Sequence, residues 1–227
     1  MTGAATPRVE APRWLAEKEA VLQTARAMYH KGLVEGTAGN VSALTADGYV
    51  CLTPSSVSYE TMGIQDLVVM DTDGQVIEGT RSPTSEKDLH LACYRSLPNV
   101  GGVIHSHPLH ASMFACARQP IPAAIEEFVV FVGGEVPVCE YTMTGTAALG
   151  EEAVRNLAAT SAALLASHGM ISIGSTPDQA LHVALVVERT AQVVHGARAL
   201  GGEHRLPDKT VSDFEGVYRY LRALPPA

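Results

Sequence analysis

Two apolar runs that each lead into histidine restrict the fold of this sequence more than any other feature. One ends in His105-Ser106-His107, and the other, over 162–166, leads to His168. Short apolar runs bounded by polar residues are typical of buried β-strands. Because side chains two residues apart in a strand lie on one face, His105 and His107 can point at the same position. We therefore expect a sheet with histidines at its strand ends.

These histidines have a functional and a structural interpretation. Three neutral imidazoles with one coordination position left open are typical of a catalytic zinc site rather than a closed structural one. Alternatively, each histidine caps a strand or is hydrogen-bonded in the core. A lone histidine would favour the structural interpretation, but the His-x-His spacing with a third strand-end histidine favours metal. The sequence predicts zinc on His105, His107 and His168.

The composition limits the class of protein and its partners. The 227 residues, 46% hydrophobic and 18% charged, fit one folded domain over 1–227, with a flexible segment at 1–11. The net charge of −8 and the lack of a long basic run argue against nucleic acid or an anionic membrane as partner. Four scattered cysteines and an N-terminus without an apolar signal segment indicate a cytoplasmic protein.

The hydrophobic pattern predicts a mixed or mostly antiparallel sheet covered by helices. Asp47-Gly48 and Asp73-Gly74 each separate two apolar runs, as hairpin turns do. Helices fall between strand pairs rather than between single strands, which argues against a regular βαβ series. Helices are expected over 12–31, 85–96, 110–117, 125–132, 146–158 and 176–200, and strands over 41–44, 49–53, 67–70, 75–78, 103–107, 136–139, 162–166 and 170–173.

Three loops rich in glycine and hydroxyl groups could hold a phosphate. They lie at 36–40, 53–56 and 83–85, the last directly before a predicted helix. Glycine permits backbone conformations that aim N–H groups at an anion, and a helix N-terminus attracts negative charge. Ordinary turns and helix capping explain the same residues, so both interpretations stay open. The candidate phosphate ligands are Gly39, Asn40, Ser55, Ser56, Thr84 and Ser85.

Several further side chains could carry acid–base chemistry. Glu86 lies in the first turn of the helix predicted from Ser85, where it could serve as a general acid/base or a fourth metal ligand. His90, on the same helix face, could join it or be structural. In the apolar run 121–132, one carboxylate of the pair Glu126-Glu127 must face solvent, and the other could face a cleft. Tyr218 and Tyr220 could cover a site or anchor the C-terminus.

Taken together, these motifs resemble those of the class II aldolase/adducin family. Segment 36–42 resembles its first phosphate loop, 53–56 its second turn, 84–86 its S-S-E motif, 105–107 its H-x-H and 164–169 its L-L-x-x-H-G. The likeness extends over about 14–200. The resemblance implies an α/β three-layer sandwich with a mainly antiparallel central sheet flanked by helices. It also implies a homotetramer with sites at the subunit interfaces.

The resemblance further implies a zinc-dependent aldolase that cleaves a ketose 1-phosphate, such as L-fuculose 1-phosphate or a 5-deoxypentulose 1-phosphate, into dihydroxyacetone phosphate and a small aldehyde. Zinc would be held by the three histidines, with Glu86 as proton shuttle and possible fourth ligand. Glu127 would be a second acid/base, Tyr220 a further catalytic residue, and the candidate phosphate ligands above would hold the substrate. Alternatives are an epimerase, dehydratase or decarboxylase with the same zinc, or a non-catalytic domain like the adducin head.

The sequence departs from the family pattern at positions that bear on the substrate. Ser56 stands where the second turn usually has glycine, and Glu127 stands where the fuculose-phosphate enzymes have tyrosine. A glutamate there resembles the methylthioribulose-1-phosphate dehydratases. Glu86, rather than aspartate, leans away from the L-ribulose-5-phosphate 4-epimerases.

Overall fold

The computed structural model describes residues 13–223, in which it places eight strands and seven α-helices. The segment 1–11, expected to be flexible, lies outside the described residues. The strands are β1 Asn40–Leu44, β2 Val50–Leu52, β3 Val68–Met70, β4 Val76–Glu78, β5 Gly102–Ser106, β6 Val138–Cys139, β7 Ala162–Leu165 and β8 Gly169–Gly174. The helices are α1 Leu15–His30, α2 Lys87–Ser96, α3 Leu109–Ala117, α4 Glu126–Val132, α5 Ala147–Asn156, α6 Pro177–Ala199 and α7 Asp208–Ala223.

All eight strands form one sheet in the order β4-β3-β2-β1-β5-β8-β7-β6. Every neighbouring pair is antiparallel except β6 and β7, which run parallel. The α/β class and the mainly antiparallel sheet predicted from the sequence are confirmed. The hairpins around Asp47-Gly48 and Asp73-Gly74 are also confirmed, since β1 pairs with β2 and β3 with β4.

Both faces of the sheet are covered by apolar side chains from helices. Alternate residues of β5 enter different clusters. Ile104 packs with residues of α1, α3, α4 and α6, whereas Val103 packs with residues of α2 and α5. The strands in the middle of the sheet are thereby buried on both sides.

The predicted start of one helix agrees with the structure, and that of another does not. The helix predicted over 176–200 is confirmed as α6. Thr176 caps it, because its hydroxyl accepts the N–H of Gln179 at 3.2 Å, and Pro177 opens the helix. The start predicted for helix 85–96 is wrong by two residues. Helix α2 begins at Lys87 with Glu86 in the N-cap position, and no side chain caps it. Ser85 therefore lies in the turn before the helix, and the Glu86 side chain is turned into the protein.

Helix α7 is not among the predicted elements. It contacts α4, and its main anchor is Tyr218, whose hydroxyl pairs with that of Ser161 at 2.9 Å. Within residues 13–223, none of the helices is long and apolar enough to cross a membrane.

Candidate metal centre

The three predicted metal ligands meet where strands β5 and β8 lie side by side. His105 is the penultimate residue of β5 and His107 follows its end, while His168 lies in the tight turn between β7 and β8. The next residue has no room for a side chain. A Cβ at Gly169 would lie 2.5 Å from the carbonyl oxygen of Ser106 and 2.6 Å from Cδ2 of His107. Glycine thus lets the turn that carries His168 approach the other two histidines.

The imidazole nitrogens converge closely enough to share one ion. One nitrogen from each of His105, His107 and His168 lies within 4.8 Å of the others, and Nε2 of His105 lies 2.8 Å from Nε2 of His107. Among the residues that the structure describes, this is the one group of three or more His, Cys, Asp or Glu arranged to hold a metal. The sequence prediction that these histidines lie together is confirmed.

The electronic state of the histidines also suits a metal. The ring nitrogen Nδ1 of His105 lies 3.0 Å from the carbonyl oxygen of Met170, which requires a proton on Nδ1 and leaves Nε2 with a free lone pair. Burial lowers the pKa of His105, and burial and the neighbouring His168 lower that of His107. Neutral imidazoles are the form that coordinates zinc, and a backbone carbonyl that orients the ligand ring is typical of such sites.

Glu86 lies directly beside the histidines. Its Oε2 is 3.1 Å from Nε2 of His105, and its Oε1 is 3.5 Å from Nε2 of His168. The same carboxylate accepts hydrogen bonds from Asn40 Nδ2 at 3.0 Å and from Thr144 Oγ1 at 2.9 Å. Burial alone would raise the pKa of Glu86, but the histidines and these two donors lower it below its usual value. Thr144 is a site residue that the sequence analysis missed, because nothing in its local pattern links it to Glu86.

Asn40, a predicted phosphate ligand, is hydrogen-bonded to two side chains of the site. It faces His105 across the β1–β5 pairing. Its amide donates to Glu86 and its Oδ1 lies 2.5 Å from Nε2 of His90. The preceding Gly39 has a φ of 75°, and a Cβ there would lie 2.8 Å from the carbonyl oxygen of His105. These two residues thus lie directly beside His105 in the sheet.

The other predicted phosphate ligands lie on two adjacent turns. Pro54 and Pro83 form an isolated antiparallel bridge, and the N–H of Ser55 donates to the carbonyl of Ser82 at 2.9 Å. Ser55, Ser56 and Ser85 are exposed, whereas Thr84 is buried. Ser56 has a φ of 59°, the left-handed conformation that favours the glycine usual at this position of the family. Ser56 thus adopts a backbone conformation to which glycine is better suited.

The remaining predicted catalytic residues lie on the surface of the single chain. Glu126 and Glu127 are both exposed on α4, so neither faces a cleft within this chain. Tyr220 is 66% exposed on α7, whereas Tyr218 is 8% exposed and bonded to Ser161. Within residues 13–223, no hydrogen bond joins Glu127 or Tyr220 to the histidines. Their catalytic roles stay predictions.

Comparison with known families supports the interpretation of the histidine site. Residues 19–195 match the family described as the Class II Aldolase and Adducin N-terminal domain. This chain belongs to the class II aldolase and adducin family. The matched segment of this class II aldolase family member contains the three histidines, Glu86 and the two hydroxyl-rich turns.

Several curated relatives share much of the chain. The 5-deoxy-D-ribulose 1-phosphate aldolase of Bacillus thuringiensis is 32% identical over 205 residues, 88% of this chain and 96% of that protein. The L-fuculose phosphate aldolase of Escherichia coli is 34% identical over 76% of this chain and 80% of its own length. The L-ribulose-5-phosphate 4-epimerase UlaF of Salmonella paratyphi B is 36% identical over 74% of this chain and 79% of its own.

The fold is shared with a solved aldolase. The structure of an L-fuculose 1-phosphate aldolase has a TM-score of 0.86 and 29% identity, covering 90% of this chain and 97% of that one. The relatives therefore include both aldolases and an epimerase.

Proposed function

We propose that this class II aldolase family member is a zinc-dependent enzyme that cleaves a ketose 1-phosphate into dihydroxyacetone phosphate and a small aldehyde. The observation that carries the proposal is the convergence of three imidazoles beside a buried, ionised Glu86. This donor set fits zinc, since three histidines leave a coordination position open for substrate.

Zinc bound to the three histidines would act as a Lewis acid and stabilise the negative charge that develops as the C3–C4 bond of the substrate breaks. Glu86, whose carboxylate faces the same position, would move the proton that the reaction requires. It takes the proton of the C4 hydroxyl, so that C4 becomes the carbonyl of the released aldehyde. It then returns a proton to C3, which completes dihydroxyacetone phosphate.

The exposed turns that carry Ser55, Ser56 and Ser85 would hold the phosphate of the substrate. Thr84 and the backbone N–H groups next to the N-terminus of α2 complete this cradle, where the helix dipole favours an anion. A phosphate fixed at one end orients the reacting carbons over the histidines. We expect L-fuculose 1-phosphate or a 5-deoxypentulose 1-phosphate as substrate, because relatives of both specificities match much of the chain.

Assembly into a homotetramer would place further groups at the site. Glu127 on α4 and Tyr220 on α7 are exposed in the single chain. A site at a subunit interface would bring them from a neighbouring copy, as a second acid/base and a further catalytic hydroxyl. The proposed enzyme is cytoplasmic, and its fold is a sandwich of three layers, with the sheet between two layers of helices.

Epimerisation is the second candidate, because the UlaF epimerase matches with 36% identity. It would use the same histidines but leave the carbon chain intact. Glu86, in place of the aspartate of the epimerase motif, favours the aldolase.

The test is metal analysis of the purified protein followed by an aldehyde-release assay. The substrates are ketose 1-phosphates with different C5 substituents, and L-ribulose 5-phosphate is assayed in parallel for epimerisation. About one zinc per chain and release of dihydroxyacetone phosphate would support the proposal. Zinc with epimerisation alone would favour the second candidate, and a metal-free, inactive protein would indicate an interaction domain.

A further inference from the structure

A continuous chain of buried hydrogen bonds leads away from Glu86 through His90. Glu86 accepts from Asn40 Nδ2 at 3.0 Å, and Asn40 Oδ1 lies 2.5 Å from His90 Nε2. On the other side of the ring, His90 Nδ1 lies 2.6 Å from Ser42 Oγ, which lies 2.7 Å from the hydroxyl of Tyr94. His90 and Ser42 have no exposed surface, so water does not compete for these contacts.

The chemistry of each group determines which partner donates in each of these hydrogen bonds. Asn40 turns its Nδ2 toward Oε2 of Glu86 at 3.0 Å, and an amide NH2 can only donate. The amide oxygen then faces His90, and an oxygen can only accept, so His90 must carry its proton on Nε2. Burial lowers the pKa of His90 to about 4, so the ring is neutral and its Nδ1 is bare. Nδ1 accepts the hydroxyl proton of Ser42, which in turn accepts that of Tyr94.

A carboxamide can be turned by 180° with almost no change of shape. In the turned orientation, Asn40 would present its oxygen to the Glu86 carboxylate and its NH2 to the N–H of His90. Both contacts would then be repulsive. Asn40 and His90 are buried, so their polar groups could not bond to water instead. The proton on His90 Nε2 therefore selects the orientation in which Asn40 donates to Glu86.

We infer that His90 is a positioning residue, which holds the Asn40 amide in the orientation that donates to Glu86 and thereby fixes the carboxylate beside the metal site. This inference rests on the proposed function in one respect, namely that Glu86 moves the proton. The role is distinct from metal binding, since His90 is not among the three converging histidines. It also differs from the two earlier interpretations of His90, which were a metal ligand and a structural residue of the core.

Two substitutions separate the two sides of the His90 ring. In His90→Gln, the side-chain NH2 can occupy the place of ring Nε2 and still donate to Asn40. In His90→Asn, the shorter amide reaches only the place of Nδ1, so the contact to Ser42 can survive but the donor to Asn40 is lost. The exposed His195 of α6 provides the matched control substitution, His195→Asn.

We expect His90→Asn to lower kcat by roughly 10- to 100-fold, a typical effect of losing an outer contact of a metal site. KM and zinc content should change by less than about threefold, because phosphate and metal are held by other residues. His90→Gln and His195→Asn should keep kcat within about threefold of the unsubstituted enzyme. Equal losses in His90→Gln and His90→Asn, or losses confined to KM or zinc content, would overturn the inference and leave His90 a packing residue.

A second measurement needs neither a variant nor turnover. Nitrogen-15 NMR of the zinc-loaded protein reports which ring nitrogen of each histidine carries a proton. We expect His90 as the neutral Nε2–H tautomer from pH 6 to 8, with its N–H protected from exchange with solvent. An Nδ1–H tautomer would overturn the inference, even if the enzyme proves to be an epimerase. Absence of aldolase activity with the expected tautomer would instead count against the proposed function alone.

Discussion

The carboxylate of Glu188 on α6 accepts two hydrogen bonds from His110, one from its backbone N–H at 3.0 Å and one from its ring Nδ1–H at 2.8 Å. Its second oxygen accepts the backbone N–H of Ala111 at 2.9 Å. Helix α3 begins with Pro108 in the N-cap position, which offers no capping side chain. Glu188 thus caps α3 from a different helix and ties the backbone just after His107 to α6.

Removing this cap should destabilise the protein. Glu188→Ala leaves the first N–H groups of α3 without their acceptor, and we expect the free energy of unfolding in urea to fall by about 2 kcal/mol. Glu188→Gln keeps one acceptor oxygen and should lose about half as much. The exposed Glu151 of α5 is the control, and Glu151→Ala should change stability by less than about 0.5 kcal/mol. A Glu188→Ala variant as stable as this control would contradict the capping role.

Zinc binding should depend on the histidines that converge. His105→Ala and His168→Ala should each lose most of the bound zinc and nearly all activity, while the circular dichroism spectrum of the folded protein persists. A chelator should inactivate the unsubstituted enzyme, and added zinc should restore it. His30→Ala, at the exposed end of α1, should behave like the unsubstituted protein. Full activity of either variant after chelator treatment would show that the metal site is elsewhere.

The role of Glu86 can be tested without changing its shape. Glu86→Gln keeps the volume but removes the charge that accepts a proton, so kcat should fall by roughly 100-fold or more. Zinc content should remain near one per chain, because three histidines are still present. Metal analysis and steady-state kinetics on the same preparation distinguish the two effects. An unchanged kcat would transfer the proton-moving role to Glu127, which Glu127→Gln would then test.

Local patterns in the sequence predicted the strands and the histidine cluster because both depend on short-range geometry. The two-residue period of a strand places His105 and His107 on one face, and an apolar run marks each strand. Helix α7 could have been found in the same way, since Val211, Phe214 and Tyr218 follow helical spacing. That pattern also distinguishes Tyr218 from Tyr220, since residues two apart on a helix face different sides.

The surroundings of Glu86 could not be predicted from local patterns, because they depend on pairings between distant segments. Asn40 lies beside His105 only through the antiparallel register of β1 and β5. Thr144 reaches Glu86 from a loop 58 residues away. The predicted helix included Glu86, whereas the structure has Glu86 in the N-cap position with its side chain turned inward. Register and helix boundaries are the features that a sequence pattern defines least well.

Acid should destabilise the protein partly through His90. Burial lowers its pKa from 6.5 to about 4 in the folded state, so the unfolded chain binds more protons between these values. The stabilisation is fully present above about pH 6.5 and is lost as the pH falls toward 4, by an amount on the order of 3 kcal/mol. Urea unfolding at intervals from pH 7 to 4.5 should show a shallower decline for His90→Gln. Parallel declines would contradict a neutral, buried His90.

The phosphate cradle should act mainly on substrate binding. Ser55 and Ser85 are exposed on adjacent turns, whereas the Asn40 amide is already bonded to Glu86 and His90. Ser55→Ala and Ser85→Ala should therefore each raise KM for the ketose 1-phosphate about tenfold with little change in kcat, the effect expected from one lost hydrogen bond to a charged group. Asn40→Ala should lower kcat as well, since Glu86 loses a donor.

Two controls make this last prediction specific for phosphate. Inorganic phosphate should compete with the ketose 1-phosphate in the unsubstituted enzyme, and less strongly in the Ser55 and Ser85 variants. Ser96→Ala, at the exposed end of α2, should leave KM unchanged. If unphosphorylated ketoses turn over equally well, or the serine variants keep the original KM, these segments are ordinary turns. The substrate would then be sought among sugar acids, whose carboxylate could occupy the open metal position without a phosphate cradle.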